Sequence, residues 1–83
     1  MATPKGTKYE IRVVEQAIDP ISNEVCGGDG HTLATVSTKR RAFAMAKRIK
    51  GFYEVHTYEE TNGNICGHWI FKDGVMIENM FSN

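Results

Sequence analysis

Apolar and polar residues alternate with a period of two along most of this chain, and with the period of an α-helix along one stretch. Tyr9-Glu10-Ile11-Arg12-Val13-Val14-Glu15 alternates, with Tyr9, Ile11 and Val13 on one side, and reads as a first strand. A long polar stretch follows, with Asp19-Pro20 and Ser22-Asn23 as turn signals. Ile21 to Cys26 has enough apolar character for a strand edge and no more. Gly27-Gly28-Asp29-Gly30 is expected to be loop, too rich in glycine to hold regular structure. His31 to Val36 reads as a second strand that feeds directly into the helix.

The helical stretch runs from Ser37 to Gly51. Ala42, Met45, Ala46 and Ile49 fall at i, i+3, i+4 and i+7 and make one apolar face. Ser37 or Thr38 can cap its start with a side-chain oxygen, and Gly51 is placed to end it in a left-handed conformation. Beyond Gly51 the period returns to two. Phe52 to Glu60 is a strand rich in aromatic and β-branched residues, and Asn62-Gly63 is a tight-hairpin signal because both central positions of that turn need positive φ. Ile65 to Phe71 is the next strand, with Ile65, Gly67, Trp69 and Phe71 on one face and Cys66, His68 and Ile70 on the other. Asp73-Gly74 is a second hairpin turn, and Val75 to Phe81 closes the chain as the last strand.

The pattern predicts an α+β fold in the order β-β-α-β-β-β: a four- to five-stranded antiparallel sheet with a single helix packed on one face. One helix covers one sheet face. The other is then solvated or a contact surface, and the number of aromatic residues predicts that part of it is exposed and apolar, a mark of a partner site or of a homodimer. The 83 residues make a single domain, 1–83, with residues 1–7 expected to be a flexible leader. The start has no apolar run of signal-peptide length, and no run is long enough to span a membrane. The reading is a cytoplasmic protein with no membrane partner.

Net charge is zero, but the zero is made of unlike parts. The helix holds six of the ten basic residues, Lys39, Arg40, Arg41, Lys47, Arg48 and Lys50, and none of the ten acids. The molecule should therefore be basic along the helix and acidic over much of the sheet. Three of the cations fall in the first helical turn, where the dipole favours acids by roughly 0.3–1 kcal/mol each. Helix stability alone does not select that arrangement. Free N–H groups at a helix start flanked by cations suit a phosphate or carboxylate partner.

Other chemistry is weaker in the sequence. Cys26, His31, Cys66 and His68 could supply four zinc ligands, but Cys66 and His68 miss the usual spacing of paired ligands. The expectation is reduced thiols, no metal and no cofactor. His31 or His68 with Arg40 or Arg41 could support phosphodiester cleavage, yet no base, acid and orienting group stand at a recognisable spacing. Gly27-Gly28-Asp29-Gly30 lacks the Gly-Lys-Ser/Thr of a phosphate loop. The chain is not read as an enzyme.

The opening strand Tyr9 to Glu15, the helix segment Ala46-Lys47-Arg48-Ile49, and the hairpins Glu60-Thr61-Asn62-Gly63 and Trp69-Ile70-Phe71-Lys72-Asp73-Gly74 resemble small phage-encoded type I-F anti-CRISPR proteins. Together they cover about a quarter of the chain; the segment Ile18–Gly30 and the Cys and His residues depart from that pattern. The resemblance implies a non-enzymatic inhibitor that binds a protein–RNA surveillance complex of the host and occludes ground meant for target DNA. Lys39, Arg40, Arg41, Lys47 and Arg48 would supply the charge. Tyr53, Tyr58 and Trp69 are candidate anchors, since aromatic residues and arginine dominate interface hot spots. The alternatives are a small nucleic-acid-binding regulator that uses helix 38–50 on phosphates, and a small ribonuclease or metal-binding protein.

Overall fold

The structure, a computed structural model, describes residues 6–81, and the side chains of all of these except 26, 27 and 29. Five strands and one helix follow in the expected order: β1 (Thr7–Ile18), β2 (Val25–Val36), α1 (Lys39–Arg48), β3 (Glu54–Thr61), β4 (Asn64–Lys72) and β5 (Val75–Asn79). The strands form one antiparallel sheet in the order β2-β1-β3-β4-β5. Of the leader expected over residues 1–7, the first five residues lie outside the described ones. Thr7 already belongs to β1, its hydroxyl 2.8 Å from that of Thr61 across the β1–β3 pair. Among the described residues no helix is long and apolar enough to cross a membrane.

The pairings sort the side chains onto two faces. Tyr9, Ile11 and Val13 of β1 stand beside Val55 and Thr57 of β3, and these beside Trp69 and Phe71 of β4. With Ala42 and Ala46 from α1 they make the buried core, flanked by Ala34, Val36, Phe43, Met45, Ile49 and Phe52. The small side chains of Ala42 and Ala46 let the helix lie close on the sheet. Phe43 then reaches down to meet Trp69 edge-on at 5.0 Å and Phe71 at 5.3 Å. Tyr9 is buried in the same layer and donates its hydroxyl to Glu59. Burial, then the hydrogen bond to Glu59 and that residue's charge, push the Tyr9 phenol up to about 12.

Trp69 lies back over Gly67, where any Cβ would fall 2.4 Å from the indole ring. The glycine is required by that close approach. Both hairpin turns form as the sequence predicts, with positive φ at Asn62 and Gly63 and at Asp73 and Gly74.

Three details differ from the sequence reading. The helix stops at Arg48, with Ile49 already extended, so Gly51 takes its positive φ two residues beyond the cap; its N–H meets Asp73 Oδ1 at 3.3 Å. The helix start is as expected: of the two candidates, Thr38 is the cap, and its hydroxyl accepts from the Arg41 N–H. The glycine-rich segment is strand, not loop: β2 runs unbroken from Val25 to Val36, and a Cβ at Gly28 would lie 2.6 Å from the Glu15 carbonyl, so close strand approach explains that glycine. Finally, a bulge at Cys66 pairs Glu59 with Gly67 but Glu60 with Ile65, which moves Ile65 onto the face away from the helix.

Candidate functional site

The cations of α1, and Lys50 just beyond its end, meet two fates. Lys39 is exposed but lies over aromatic rings, its Nζ 4.7 Å from the Trp69 ring centroid and 5.4 Å from that of Phe43, and its stem covers the edge of the core. Arg40, Arg41, Lys47, Arg48 and Lys50 are exposed, and among the described residues none of them forms an ion pair. Lys47 and Arg48 occupy the last turn, where the helix dipole favours cations; Lys39, Arg40 and Arg41 occupy the first, where it opposes them and no acid relieves them. Arg41 and Arg48 stand two turns apart on one side of the helix, about 10 Å along its axis. Between them, Ala44 and Met45 of the helix and Val36 of β2 line a groove of about 340 Å³. Its floor is apolar and its walls are guanidinium groups.

The opposite sheet face carries a second cluster. His56 stands opposite Ile70, and Tyr58 opposite His68, so the two histidines are diagonal neighbours. His56 Nδ1 lies 2.7 Å from His68 Nε2, and His56 Nε2 lies 2.9 Å from Glu54 Oε1. Tyr58 stacks on His68 with ring centroids 4.2 Å apart. A carboxylate accepts only, so His56 donates its Nε2–H to Glu54; with both rings neutral, His56 Nδ1 then accepts from His68 Nε2–H. Burial holds the His68 imidazole below its ordinary value of 6.5, and the neighbouring His56 lowers it further, partly offset by Glu78 and Glu54. Only one proton fits between the rings, so the contact lasts while the pair carries at most one positive charge. The same face bears the ion pair of Lys8 with Glu60 at 3.0 Å and a hydrogen bond from Thr32 to Glu10.

The eight residues singled out from sequence therefore do not form one surface. Lys39, Arg40, Arg41, Lys47 and Arg48 are brought together on α1. Trp69 is only 7% exposed and lies under the helix, so its indole is core and not surface. Tyr58 faces the other side of the sheet among the histidines. Tyr53 is half-buried beside β3, with Lys72 Nζ 5.8 Å from its ring. Apart from Phe81, the large exposed apolar side chains are aliphatic or methionine: Val75, Met76, Ile77 and Met80 at and after β5, Ile18, Ile21 and Val25 at the far end of β1 and β2, and Leu33 and Ile65.

Of the four Cys and His residues weighed as zinc ligands, the three with described side chains are not gathered. His31 pairs with Val13, on the helix-bearing side, while His68 faces the other way. Cys66 is an exposed free thiol that donates to the Asn64 carbonyl at 3.4 Å, and the Cys26 side chain lies outside the described residues. Among the described residues no group of three or more His, Cys, Asp or Glu is arranged to hold a metal ion. Sequence reasoning missed the Glu54–His56–His68 chain. Its signal was present, since the Asn62-Gly63 turn folds β3 onto β4, but placing His68 opposite Tyr58 needs the bulge at Cys66.

Comparison with protein-family models, curated proteins and solved structures gave no match.

Proposed function

We propose that this chain is a non-enzymatic binding protein of the phage type, which inhibits a host nucleic-acid-handling complex by occluding its surface with α1. The surveillance complex of a CRISPR system is the target class that the resemblance in its strands and hairpins suggests. The supporting observation is the unpaired basic face of α1. Five exposed cations hold no carboxylate among the described residues, although the chain carries as many acids as bases. Those in the first turn work against the helix dipole. Charges that cost the helix stability and satisfy nothing inside the molecule are explained by something outside it.

The groove favours a protein component in that partner over bare nucleic acid. Phosphates would use Arg41 and Arg48, but they leave the apolar floor of Val36, Ala44 and Met45 without purpose. A protein surface with carboxylates around an apolar side chain uses both.

Reversing the first-turn charges separates binding from folding. The double variant Arg40→Glu, Arg41→Glu should lose capture of the partner while its helix becomes more stable, since each acid now suits the dipole by roughly 0.3–1 kcal/mol. The checks are quantitative capture from lysates of candidate host cells, and thermal unfolding of the same two proteins. Unchanged capture by the folded variant takes the helix out of the interface.

A further inference from the structure

We propose that the β1–β2 hairpin is a self-association arm, whose tip seats in the Arg41–Arg48 groove of a second copy of this chain while that copy's arm returns the contact. The arm begins where the sheet ends. β3 pairs with β1 only as far as Val14, so from Glu15 to Gly28 the two strands stand as a ribbon with no third strand beside them. The ribbon accounts for a molecule 48 Å long and 24 Å across.

The arm exposes three aliphatic side chains at and just behind its tip and is acidic along its length. Ile21 is 95% exposed, and Ile18 and Val25, paired just behind it, are more than half exposed. A turn tip ordinarily carries polar residues. This one holds its shape through them, with the Asp19 carboxylate accepting from the Ile21 and Ser22 N–H groups and Asp19 and Asn23 joined through the backbone, while the Ile21 side chain has no part in those bonds. The turn is thus built to present an isoleucine. No lysine or arginine occurs anywhere from Val13 to Thr38, and Glu15 and Glu24 are exposed along the ribbon.

The groove on α1 is the complement of that tip. It offers an apolar floor of Val36, Ala44 and Met45 between Arg41 and Arg48, cations that have no ion-pair partner among the described residues. The arm cannot reach the groove of its own chain. The tip springs from Val25, eleven residues from Val36 along β2, which is about 35 Å of extended strand. A second copy meets the geometry. Two arms and two grooves close on a twofold axis, each contact made twice, which is the usual way a self-complementary surface ends in a dimer rather than a chain. Zero net charge leaves no overall repulsion between copies. The dimer would shield the basic helix until a partner displaces the arm.

Sedimentation equilibrium of the purified chain tests this without reference to any target, so failure here leaves the inhibitor reading standing, and the reverse. A monomer–dimer equilibrium is expected that weakens as salt is raised. Ile21→Ser should weaken it at least about tenfold by removing the buried aliphatic group without adding a charge, and Arg48→Glu should weaken it by placing a carboxylate against an acidic arm. Both positions are exposed, and circular dichroism confirms that each variant is folded. A monomer at all concentrations overturns the proposal, as does a dimer that neither variant affects. A dimer insensitive to both but lost in Ile77→Lys puts the second copy on the exposed apolar edge of β5 and overturns it equally.

Discussion

Thr57 is fully buried between Ile11 and Trp69 in the row of side chains beneath α1, and its hydroxyl has no hydrogen-bond partner among the described residues. Leaving a buried hydroxyl unsatisfied costs free energy that an isosteric methyl group does not. Thr57→Val is therefore expected to stabilise the protein by about 1 kcal/mol, read from denaturant unfolding. His68 acts in the opposite sense as pH falls. Its folded-state value lies below the ordinary 6.5, so the unfolded chain takes up a proton first. The stabilisation is fully present above 6.5 and is lost as pH falls through the folded-state value. Stability should decline on acidification before the carboxylates titrate, and the decline should flatten in His68→Gln; an unaltered slope would show that another group carries it. Neither effect could be read from the sequence. Alternation places Thr57 and His68 on faces, but it says nothing about which neighbours they find there.

The elements divide into those written in local composition and those set by contacts between strands. Both hairpin turns were legible because Asn-Gly and Asp-Gly are the residues that positive φ demands. The helix was legible from the spacing of Ala42, Met45, Ala46 and Ile49, although Gly51 overstated its length. β2 was misread because its glycines look like loop residues, whereas Gly28 is there to let the Glu15 carbonyl approach. Bulges at Leu33 and Cys66 add one residue without a compositional mark, which is why Ile65 was placed on the wrong face. Gly67 makes the dependence on partner contacts testable. Gly67→Ala should displace the Trp69 ring, which Phe43 and Lys39 hold in place, and cost about 1–3 kcal/mol with altered tryptophan fluorescence. Full stability with unchanged fluorescence would mean that the indole moves aside freely.

At the scale of the whole molecule, the dominant feature is the separation of charge. Bases gather on α1, while the β1–β2 arm is acidic and the face opposite the helix carries Glu10, Glu54, Glu60 and Glu78. That polarity was plain in the sequence, because a run of six cations without an acid stays one-sided however it folds. The aromatic half of the expected site was not, because counting aromatic residues does not say which face each one takes. Trp69 went inward, since Gly67 opened the space for its ring and Phe43 supplied an edge to pack against. What remains at the surface is a basic helix with an apolar groove, in a molecule of zero net charge. The most direct test of its role is capture by the tagged protein from lysates of candidate host cells, with and without nuclease, beside the Arg40→Glu, Arg41→Glu variant. The expected result is a protein complex that stays bound after nuclease treatment and is absent from the variant. Capture that disappears with the nucleic acid would contradict it and make α1 a phosphate-binding helix.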